Sequence, residues 1–299
     1  MCPTRHLRLA LSALLAGVLL LSAVVPAARA QEETEHEEEF SYVQGAENGP
    51  ENWGAIKEEW AACSTGRMQS PIDLSDEDVS LVCSLGYLNH TYRAAEASIV
   101  NRGHDIMVRF DGDAGSLVIN GTAYYLRQLH WHSPTEHAVD DRSNCMLSSD
   151  ARACRYDMEL HMVHESAENK AAVIGILYKI GRPDAFLHKL EPFIRRIADG
   201  PDREVRVGVV DPWGARGKGC AYYRYMGSLT TPPCTEGVIW TIIKKVRTVS
   251  RCQLELLREA VHDGMEDNAR PLQEVNNRDI GIFRPRPCKH YGLFPSAAE

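Results

Sequence analysis

The sequence lacks a basic patch, and this absence limits the partners that the protein can have. It carries 33 lysines and arginines against 41 aspartates and glutamates, which gives a formal net charge of -8. Proteins that bind nucleic acid present a positively charged face to the phosphates. We therefore predict no nucleic-acid partner, and nothing in the sequence implies an obligate protein partner.

Long apolar runs are absent after residue 30, and so are internal repeats and linkers between residues 40 and 287. A membrane helix needs about 20 consecutive apolar residues, so we predict no membrane span once a signal is removed. Hydrophobic residues make up 44% of the chain, which is enough to fill a sizeable core. We predict one domain over residues 40–287 and a C-terminal tail over 288–299.

The first 30 residues differ in character from the rest. Arginines precede an uncharged apolar run at residues 9–25, and small residues follow up to Ala30. This pattern is typical of a cleaved secretory signal, whereas a membrane anchor would use a run at the short limit for spanning. We predict a signal peptide over 1–30, and a disordered tail over the acidic residues 31–39, which lack core-forming side chains.

Secretion changes how the nine cysteines are interpreted. Eight remain after signal removal, an even number in an oxidising route, so we expect disulfides. No C-x₂-C spacing occurs, which argues against a structural metal held by four cysteines. Two glycosylation sequons begin at Asn89 and Asn120, and we expect at least one of them to be occupied.

Hydrophobic patterning predicts a domain built mainly from short strands. The alternating or apolar segments are 97–110, 115–132, 155–165, 171–180 and 237–249. The Asn-Gly pair at 120–121 predicts a hairpin, and the almost continuous apolar run at 171–180 predicts a strand buried on both faces. Helical spacing at 185–199, and a serine cap with a terminal glycine at 250–264, predict two helices.

One stretch, QLHWHSPTEH at residues 128–137, holds three histidines within ten positions. Alternate residues of a strand point to the same face, so His130 and His132 share a face. The same rule gives His161 a defined face on segment 155–165. Pairing of the two strands would bring three imidazoles to one point.

Three neutral imidazoles with a fourth position open form a catalytic zinc arrangement. Imidazole nitrogen suits a borderline-soft cation, and an open position lets a bound water ionise near neutral pH. Two histidines two residues apart are, by themselves, more often hydrogen-bonded structural residues than ligands. From spacing alone that interpretation stays open, and we interpret His137 and His164 as structural.

Several motifs, taken in chain order, resemble those of the alpha-class carbonic anhydrases, and their sequences look most similar to those of plant members. They are NGPENW, QSPIDL, NRGHDIMVRF, QLHWHSPTEH, MELHMVH, AVIGILYKIG, GSLTTPPCTEGVIW and DNARPLQEVNNR. The resemblance spans about residues 40–287. It implies a mainly β fold with peripheral helices, built around a large, mostly antiparallel central sheet that carries a zinc site. It also implies reversible hydration of carbon dioxide to bicarbonate and a proton, by attack of a zinc-bound hydroxide.

The resemblance also implies roles for individual residues. The zinc ligands would be His130, His132 and His161, with Gln128, the backbone of Asn268 and Glu159 as their outer hydrogen-bond partners. Thr230 would accept a hydrogen bond from the hydroxide and donate one to Glu136. His104 would carry the released proton to buffer, a role that suits an imidazole in an exposed turn. The substrate pocket would contain Tyr42, Val163, Val173, Leu229, Thr231 and Trp240.

Disulfide pairing is implied only in part. The resemblance pairs Cys63 with Cys234, which would brace the loop that carries Thr230. The segment between His137 and Glu159 is longer than is usual in the family, and it allows a local disulfide between Cys145 and Cys154. The cysteines left unassigned are Cys83, Cys220, Cys252 and Cys288.

Two departures from the family pattern bear on function. Arg102 stands where a smaller polar residue is common, and a cation there would disfavour the imidazolium form of His104 and lower its pKa. Ala269 replaces a large aromatic residue, which we interpret as a packing difference.

Alternatives to the hydration reaction also follow from the resemblance. One is a catalytically silent binding or storage protein on the same scaffold, although the intact ligand set argues against it. An esterase activity at the same site would be a side activity. The signal peptide implies the secretory route, with an extracellular destination or, in a plant, onward transfer to the plastid.

Overall fold

A computed structural model describes residues 39–74, 79–139, 155–198, 203–261 and 264–286. Its strands, in chain order, are β1 (Asp73–Leu74), β2 (Val79–Leu81), β3 (Asn89–His90), β4 (Ala95–Asn101), β5 (Ile106–Phe110), β6 (Ser116–Ile119), β7 (Thr122–His132), β8 (Ala138–Val139), β9 (Met158–Ser166), β10 (Ala171–Ile180), β11 (Glu204–Val210), β12 (Tyr222–Ser228), β13 (Glu236–Val249) and β14 (Ile280–Phe283). The α-helices are α1 (Trp53–Ile56), α2 (Ala62–Thr65), α3 (Ala185–Ile197), α4 (Pro212–Arg216) and α5 (Arg251–Ala260). Two 3₁₀ turns cover Glu58–Trp60 and Cys83–Leu85.

Twelve of these strands form one sheet, in the order β11-β4-β5-β7-β9-β10-β13-β12-β14-β2, with β6 pairing β7 and β3 pairing β6. Among the described strands of this sheet, β10–β13 and β14–β2 are the parallel pairs, and the other pairs are antiparallel. The prediction of a large, mostly antiparallel central sheet is confirmed. A separate parallel pair joins β1 to β8.

Local sequence explains the hairpin and the helix starts. Asn120 and Gly121 have φ values of 49° and 81°, the conformation that a two-residue hairpin turn between β6 and β7 requires. Asp184 caps α3 by accepting from two backbone N–H groups, and Ser250 caps α5 in a capping box with Gln253. Helix α5 ends at Ala260, four residues before the predicted end, because Val261 is already extended.

Buried strands separate two apolar clusters. On β10, Ile174 and Ile176 join the larger cluster, while Val173 and Leu177 join the other, so this strand is buried on both faces as predicted. Helices α3 and α5 pack their apolar faces on the larger cluster. None of the helices among the described residues is long and apolar enough to cross a membrane.

Candidate metal centre

Pairing of β7 with β9 brings the three predicted histidines together. His130 lies directly opposite His161, and His132 lies opposite Glu159. Leu129 and Trp131, which alternate with His130 and His132 along β7, point to the other side of the sheet and join the larger core cluster. The three histidines are each only 1% exposed.

Each of these histidines uses one ring nitrogen for a protein partner. His130 Nδ1 is 2.8 Å from Gln128 Oε1, and His132 Nδ1 is 2.8 Å from the Asn268 carbonyl oxygen. His161 Nε2 is 3.1 Å from Glu159 Oε1. Since carbonyl and carboxylate oxygens only accept, each of these nitrogens carries the proton, and the opposite nitrogen of each ring has a lone pair to offer.

The other nitrogens point inward toward a common region. One donor atom from each histidine lies within 4.8 Å of those of the others, and His130 Nε2 is 3.2 Å from His161 Nδ1. His132 Nε2 is buried without a hydrogen-bond partner. Burial lowers the pKa of His130 well below its usual value, which keeps that ring neutral. Three neutral imidazole donors fit Zn²⁺.

A second set of residues, His137, Glu159 and His161, is also close enough to hold an ion. Its atoms, however, already bond one another, because Glu159 Oε1 lies 2.8 Å from His137 Nδ1 as well as 3.1 Å from His161 Nε2. The remaining His137 nitrogen, Nε2, is 2.7 Å from the Tyr225 hydroxyl. This set is therefore a hydrogen-bonded support, and the lone pairs available to a metal belong to His130 Nε2, His132 Nε2 and His161 Nδ1.

Glu159 holds this support together. Its Oε2 accepts from the backbone N–H groups of Glu136 and His137 at 3.0 and 2.9 Å. Burial alone would raise the pKa of Glu159, but His137 and His161 outweigh burial and hold it well below its usual value. Gly175 on β10 makes room for the carboxylate, since a Cβ there would lie 2.6 Å from Glu159 Oε1.

Glu136 is oriented differently from the prediction. Its Oε1 accepts from the backbone N–H of Arg270 at 3.0 Å, and its Oε2 lies 3.6 Å from His132 Nε2 and 4.0 Å from His161 Nδ1. This Oε2 has no hydrogen-bond partner, so the expected bond from Thr230 is not formed. The bond from Arg270 and the bond from the Glu136 backbone N–H to Glu159 hold this residue so that its second oxygen faces His132 and His161. Thr230 itself is buried.

His104 is buried, whereas the sequence predicted an exposed turn. It is 0% exposed, its ring lies 5.3 Å from that of Phe40, and its carbonyl accepts from Asn268 Nδ2 at 2.7 Å. Phe40, from the N-terminal segment, thus packs against the ring and contributes to its burial.

Arg102 is not the isolated cation that the sequence suggested. Its Nε and Nη2 lie 2.8 and 2.5 Å from the two carboxylate oxygens of Asp105. Asp105 Oδ2 is 3.7 Å from His104 Nε2. Burial alone would raise the pKa of Asp105, but Arg102 and His104 outweigh it and hold it below its usual range. The cation that the sequence places near His104 is thus paired with a carboxylate that lies between the two side chains' charged groups and beside the ring.

The predicted pocket residues do not all lie in one cluster. Val173, Leu229 and Trp240 belong to one buried cluster against which Val163 packs, and the Trp240 ring lies 4.8 Å from that of His161. Thr231 is buried, and its hydroxyl has no hydrogen-bond partner. Tyr42 instead packs edge-on against Phe40 and Trp53 in a separate cluster. With Ala269, it lines a cavity of about 530 Å³.

Comparison with known proteins decides the family. Residues 48–283 match the family described as eukaryotic-type carbonic anhydrase. The chain belongs to the alpha carbonic anhydrase family. Alpha carbonic anhydrase 7 of Arabidopsis thaliana is 46% identical over 269 residues, which cover 90% of this chain and 94% of that relative. Dioscorin DB3S of Dioscorea polystachya is 46% identical over 278 residues, covering 93% and 98%.

Solved structures of family members agree. A crystal structure of dioscorin complexed with ascorbate superimposes with a TM-score of 0.76 at 47% identity, covering 82% of this chain and 98% of that one. The alpha-carbonic anhydrase from Thermovibrio ammonificans, in complex with the inhibitor sulfanilamide, gives a TM-score of 0.70 at 34% identity, covering 81% and 98%.

The family resemblance also implied the disulfide between Cys63 and Cys234, and the structure contains it, at a sequence separation of 171. Cys234 N–H donates to the Thr231 carbonyl at 2.9 Å, so the bridge braces the loop that follows Thr230. Cys83 is also disulfide-bonded, and the free cysteines among the described residues, Cys220 and Cys252, are exposed.

Some predictions lie outside the described residues. They are the signal peptide at 1–30, the acidic tail up to residue 38, the Cys145–Cys154 pair, Cys288 and the C-terminal tail. Asn89 and Asn120 are exposed, which leaves both sequons accessible, and their glycosylation stays a prediction.

Sequence reasoning missed three supporting residues. Arg270 is 1% exposed and donates to Gln69 Oε1, to the Ser70 carbonyl and to the Cys63 carbonyl at 2.8–2.9 Å. Tyr225 and Ser70 bond each other at 2.9 Å behind His137. Arg270 and Ser70 lie within motifs that carried the resemblance, but no local pattern indicates that a charged arginine and a serine hydroxyl would be buried.

Proposed function

We propose that this family member is a zinc enzyme that interconverts carbon dioxide and bicarbonate, with water and a proton as the other participants. One observation carries the proposal. In each of the three histidines, one ring N–H donates to a protein acceptor and the other nitrogen faces a shared, buried point. These histidines are His130, His132 and His161. Membership of the alpha carbonic anhydrase family supports the same reaction.

His130 and His132 would hold the ion through Nε2, and His161 through Nδ1. Zn²⁺ at this position supplies a water ionised near neutral pH, and so a nucleophile without a strong base. The oxygens of Gln128, Asn268 and Glu159 fix the tautomer and the ring orientation of the three ligands. Such partners contribute to metal affinity as well as to geometry.

The residues around this point would bind and orient the substrate. Carbon dioxide has no dipole, and the apolar cluster formed by Val173, Leu229 and Trp240, with Val163 against it, offers a surface suited to it. Glu136 and Thr230 would orient the attacking oxygen. In the state described here Glu136 Oε2 faces the histidines, so this role requires the carboxylate to exchange its present contacts for one with Thr230.

His104 would take the released proton toward the surface. The carboxylate of Asp105, 3.7 Å from His104 Nε2, favours a protonated ring and so supports this role. Because Phe40 covers the ring, transfer to buffer requires the N-terminal segment to move or the proton to pass through water.

The test combines metal analysis with a stopped-flow assay of carbon dioxide hydration. We expect about one zinc per chain and a clear acceleration over buffer. His161→Ala should lose both, since it removes one of three ligands. His164→Ala, a buried histidine on the opposite face of the same strand, is the matched control and should keep zinc. Full hydration activity in His161→Ala would refute the ligand assignment.

A second candidate is a catalytically silent binding protein on the same scaffold. Similarity to a dioscorin that was solved with ascorbate favours it. Zinc-loaded protein that fails to accelerate hydration would support this candidate and contradict the enzyme. Comparing rates on carbon dioxide and on an activated ester would show whether esterase activity is only a side reaction.

We further propose that the protein follows the secretory route to the exterior, or onward to a plastid. The Cys63–Cys234 disulfide supports an oxidising environment. Zinc, carbon dioxide, bicarbonate and water are the partners that the proposed function needs.

A further inference from the structure

A buried arginine at the end of α4 lacks a counter-charge. Arg216 is the last residue of this helix and is 5% exposed. No carboxylate in the described part of the chain pairs with it, and the groups that favour its charged form are the Tyr92 hydroxyl and the Cys220 thiol. Burial lowers the pKa of Arg216, because the cation has given up its hydration without gaining an anion in exchange.

The other deeply buried arginines show what a guanidinium receives inside this protein. Arg102 places Nε and Nη2 on the two carboxylate oxygens of Asp105. Arg270 donates to three oxygen atoms, and the nearby Glu136 carboxylate opposes the lowering of its pKa that burial causes. A buried charge is costly unless it is both paired and hydrogen-bonded, so Arg216 is the exception.

The loop that follows α4 satisfies only part of the Arg216 guanidinium. Nη2 donates to the Gly219 carbonyl at 3.0 Å, and Nη1 is 3.4 Å from the Gly217 carbonyl oxygen, which is long for a hydrogen bond. Nε is buried and has no hydrogen-bond partner. In an arginine, Nε–H and one Nη–H form a fork that matches two oxygens of a planar anion. The unused Nε–H leaves this fork open.

Arg216 lies on the side of the sheet away from the metal centre. Trp213, one turn earlier in α4, donates from Nε1 to the Tyr92 carbonyl at 3.1 Å. The Tyr92 hydroxyl bonds Nε2 of His164, the histidine on the face of β9 opposite the proposed ligands. Burial raises the pKa of Tyr92, so this hydroxyl keeps its proton and does not neutralise the arginine. Together with burial, the Arg216 charge also lowers the pKa of His90.

The same loop gives the guanidinium a route to solvent. Gly217 and Gly219 are half-buried and Lys218 between them is exposed, so the guanidinium lies just beneath the surface. Residues 212–220 contain no aspartate or glutamate, and Asp211 caps the opposite end of α4. An anion that approaches this loop therefore meets the positive charge of Lys218 first and the open fork below it.

We propose that Arg216 and the loop 217–219 form a binding site for a small, planar, monovalent oxyanion, the class that includes bicarbonate, carboxylates and nitrate. Two oxygens of such an anion fill the fork at Nε, and its charge supplies the partner that the buried cation lacks. Bicarbonate, the product of the proposed reaction, belongs to this class. The site lies across the sheet from the three histidines and uses none of them, so it is independent of the proposed function.

The experiment follows thermal unfolding of the zinc-containing chain as nitrate is added, with ionic strength held constant by the salt of a bulky sulfonate. A bound anion stabilises the folded state, and at about ten times the dissociation constant the unfolding midpoint should rise by about 3–6 °C. Arg216→Met should lose this rise. In sulfonate alone it should be at least as stable as the unmodified chain, because it removes an unpaired buried charge.

Arg224 offers a matched control on β12. Burial lowers its pKa as well, but its Nε donates to Thr241 Oγ1 at 2.9 Å and its guanidinium lies over the Tyr222 ring. Arg224→Met should therefore be less stable at every nitrate concentration and should keep the full rise in midpoint. Bicarbonate and acetate, compared at equal concentration in the unmodified chain, show whether the product or a carboxylate is the preferred occupant.

An equal nitrate-dependent rise in Arg216→Met and the unmodified chain would overturn the proposal. So would a loss of stability in Arg216→Met that is the same with and without nitrate, since that result marks an arginine with a structural role only. Should Arg216→Met not fold, Arg216→Lys keeps the charge without the fork, and an undiminished response to nitrate there would contradict the site. His161→Ala should keep the rise after losing zinc, which separates this test from that of the zinc enzyme.

Discussion

Acid should destabilise this protein through His164, which lies on the face of β9 opposite the metal centre. Its Nδ1 donates to the Ala172 carbonyl at 3.0 Å, and its Nε2 accepts from the Tyr92 hydroxyl at 2.7 Å. A second ring proton would have to displace the Tyr92 donor inside the core. Burial therefore lowers the pKa of His164 from 6.5 to about 4.

The sign and the size of the effect follow from this shift. As the pH falls below 6.5 the unfolded chain binds a proton at this ring, whereas the folded chain does not until about pH 4. The contribution of the neutral His164 ring to folding stability is thus fully present above pH 6.5. It is lost as the pH falls to about 4, below which both the folded and the unfolded chain carry the proton. Each unit of pKa corresponds to about 1.4 kcal/mol, so this one residue should lower the free energy of unfolding by roughly 3 kcal/mol.

The assay compares the unmodified chain with His164→Gln, which does not titrate. Urea unfolding is followed at several pH values between 4 and 6.5, with a chelator present so that metal release adds no pH dependence. Both proteins will lose stability as carboxylates protonate, but the difference between them should change by roughly 3 kcal/mol across the window. A difference that stays constant with pH would refute the argument that His164 is held neutral by the fold.

Two further predictions concern the metal centre. Gly175→Ala should weaken zinc binding and cost about 1–3 kcal/mol of stability, because the new Cβ would lie 2.6 Å from Glu159 Oε1 and 2.5 Å from Ile242 Cδ1. Gly181→Ala is the control, because its new Cβ would lie 2.8 Å from the Thr248 side chain, and it should lower thermal stability without lowering zinc affinity. An equal loss of zinc affinity in the two variants would contradict the reasoning. His104→Ala should slow carbon dioxide hydration in weak buffer by about tenfold or more, with recovery on adding imidazole, and a rate independent of buffer would discard the shuttle.

The sequence predicts the arrangement of the three histidines because strand periodicity is a strong constraint. A one-residue shift between β7 and β9 would turn Leu129 and Trp131 away from the core, so the apolar pattern fixes which face His130 and His161 share. The outer partners Gln128 and Glu159, which the family resemblance implied, lie on the same face in agreement with that parity. Asn268 does not, because its carbonyl arrives from a loop more than 100 residues further along the chain.

Side-chain orientation and burial could not be predicted in the same way. Whether His104 is exposed depends on where Phe40 lies, and no local pattern near either residue records that contact. Arg102 and Asp105 are three residues apart in a turn, and only the folded backbone shows that their side chains pair. Glu136 faces the histidines because the backbone N–H of Arg270 holds its other oxygen, again a contact between distant segments.

The distinction between a ligand histidine and a structural one is likewise a property of the folded chain. His137 and His164 are as deeply buried as the metal-centre histidines, but each bonds a protein partner through both ring nitrogens. His132, by contrast, bonds through Nδ1 alone. Burying an imidazole nitrogen without a partner costs free energy that a stable fold avoids unless another group binds there. His132 therefore differs from His137 and His164 in keeping one buried ring nitrogen without a hydrogen-bond partner, and this difference cannot be derived from the spacing of histidines in the sequence.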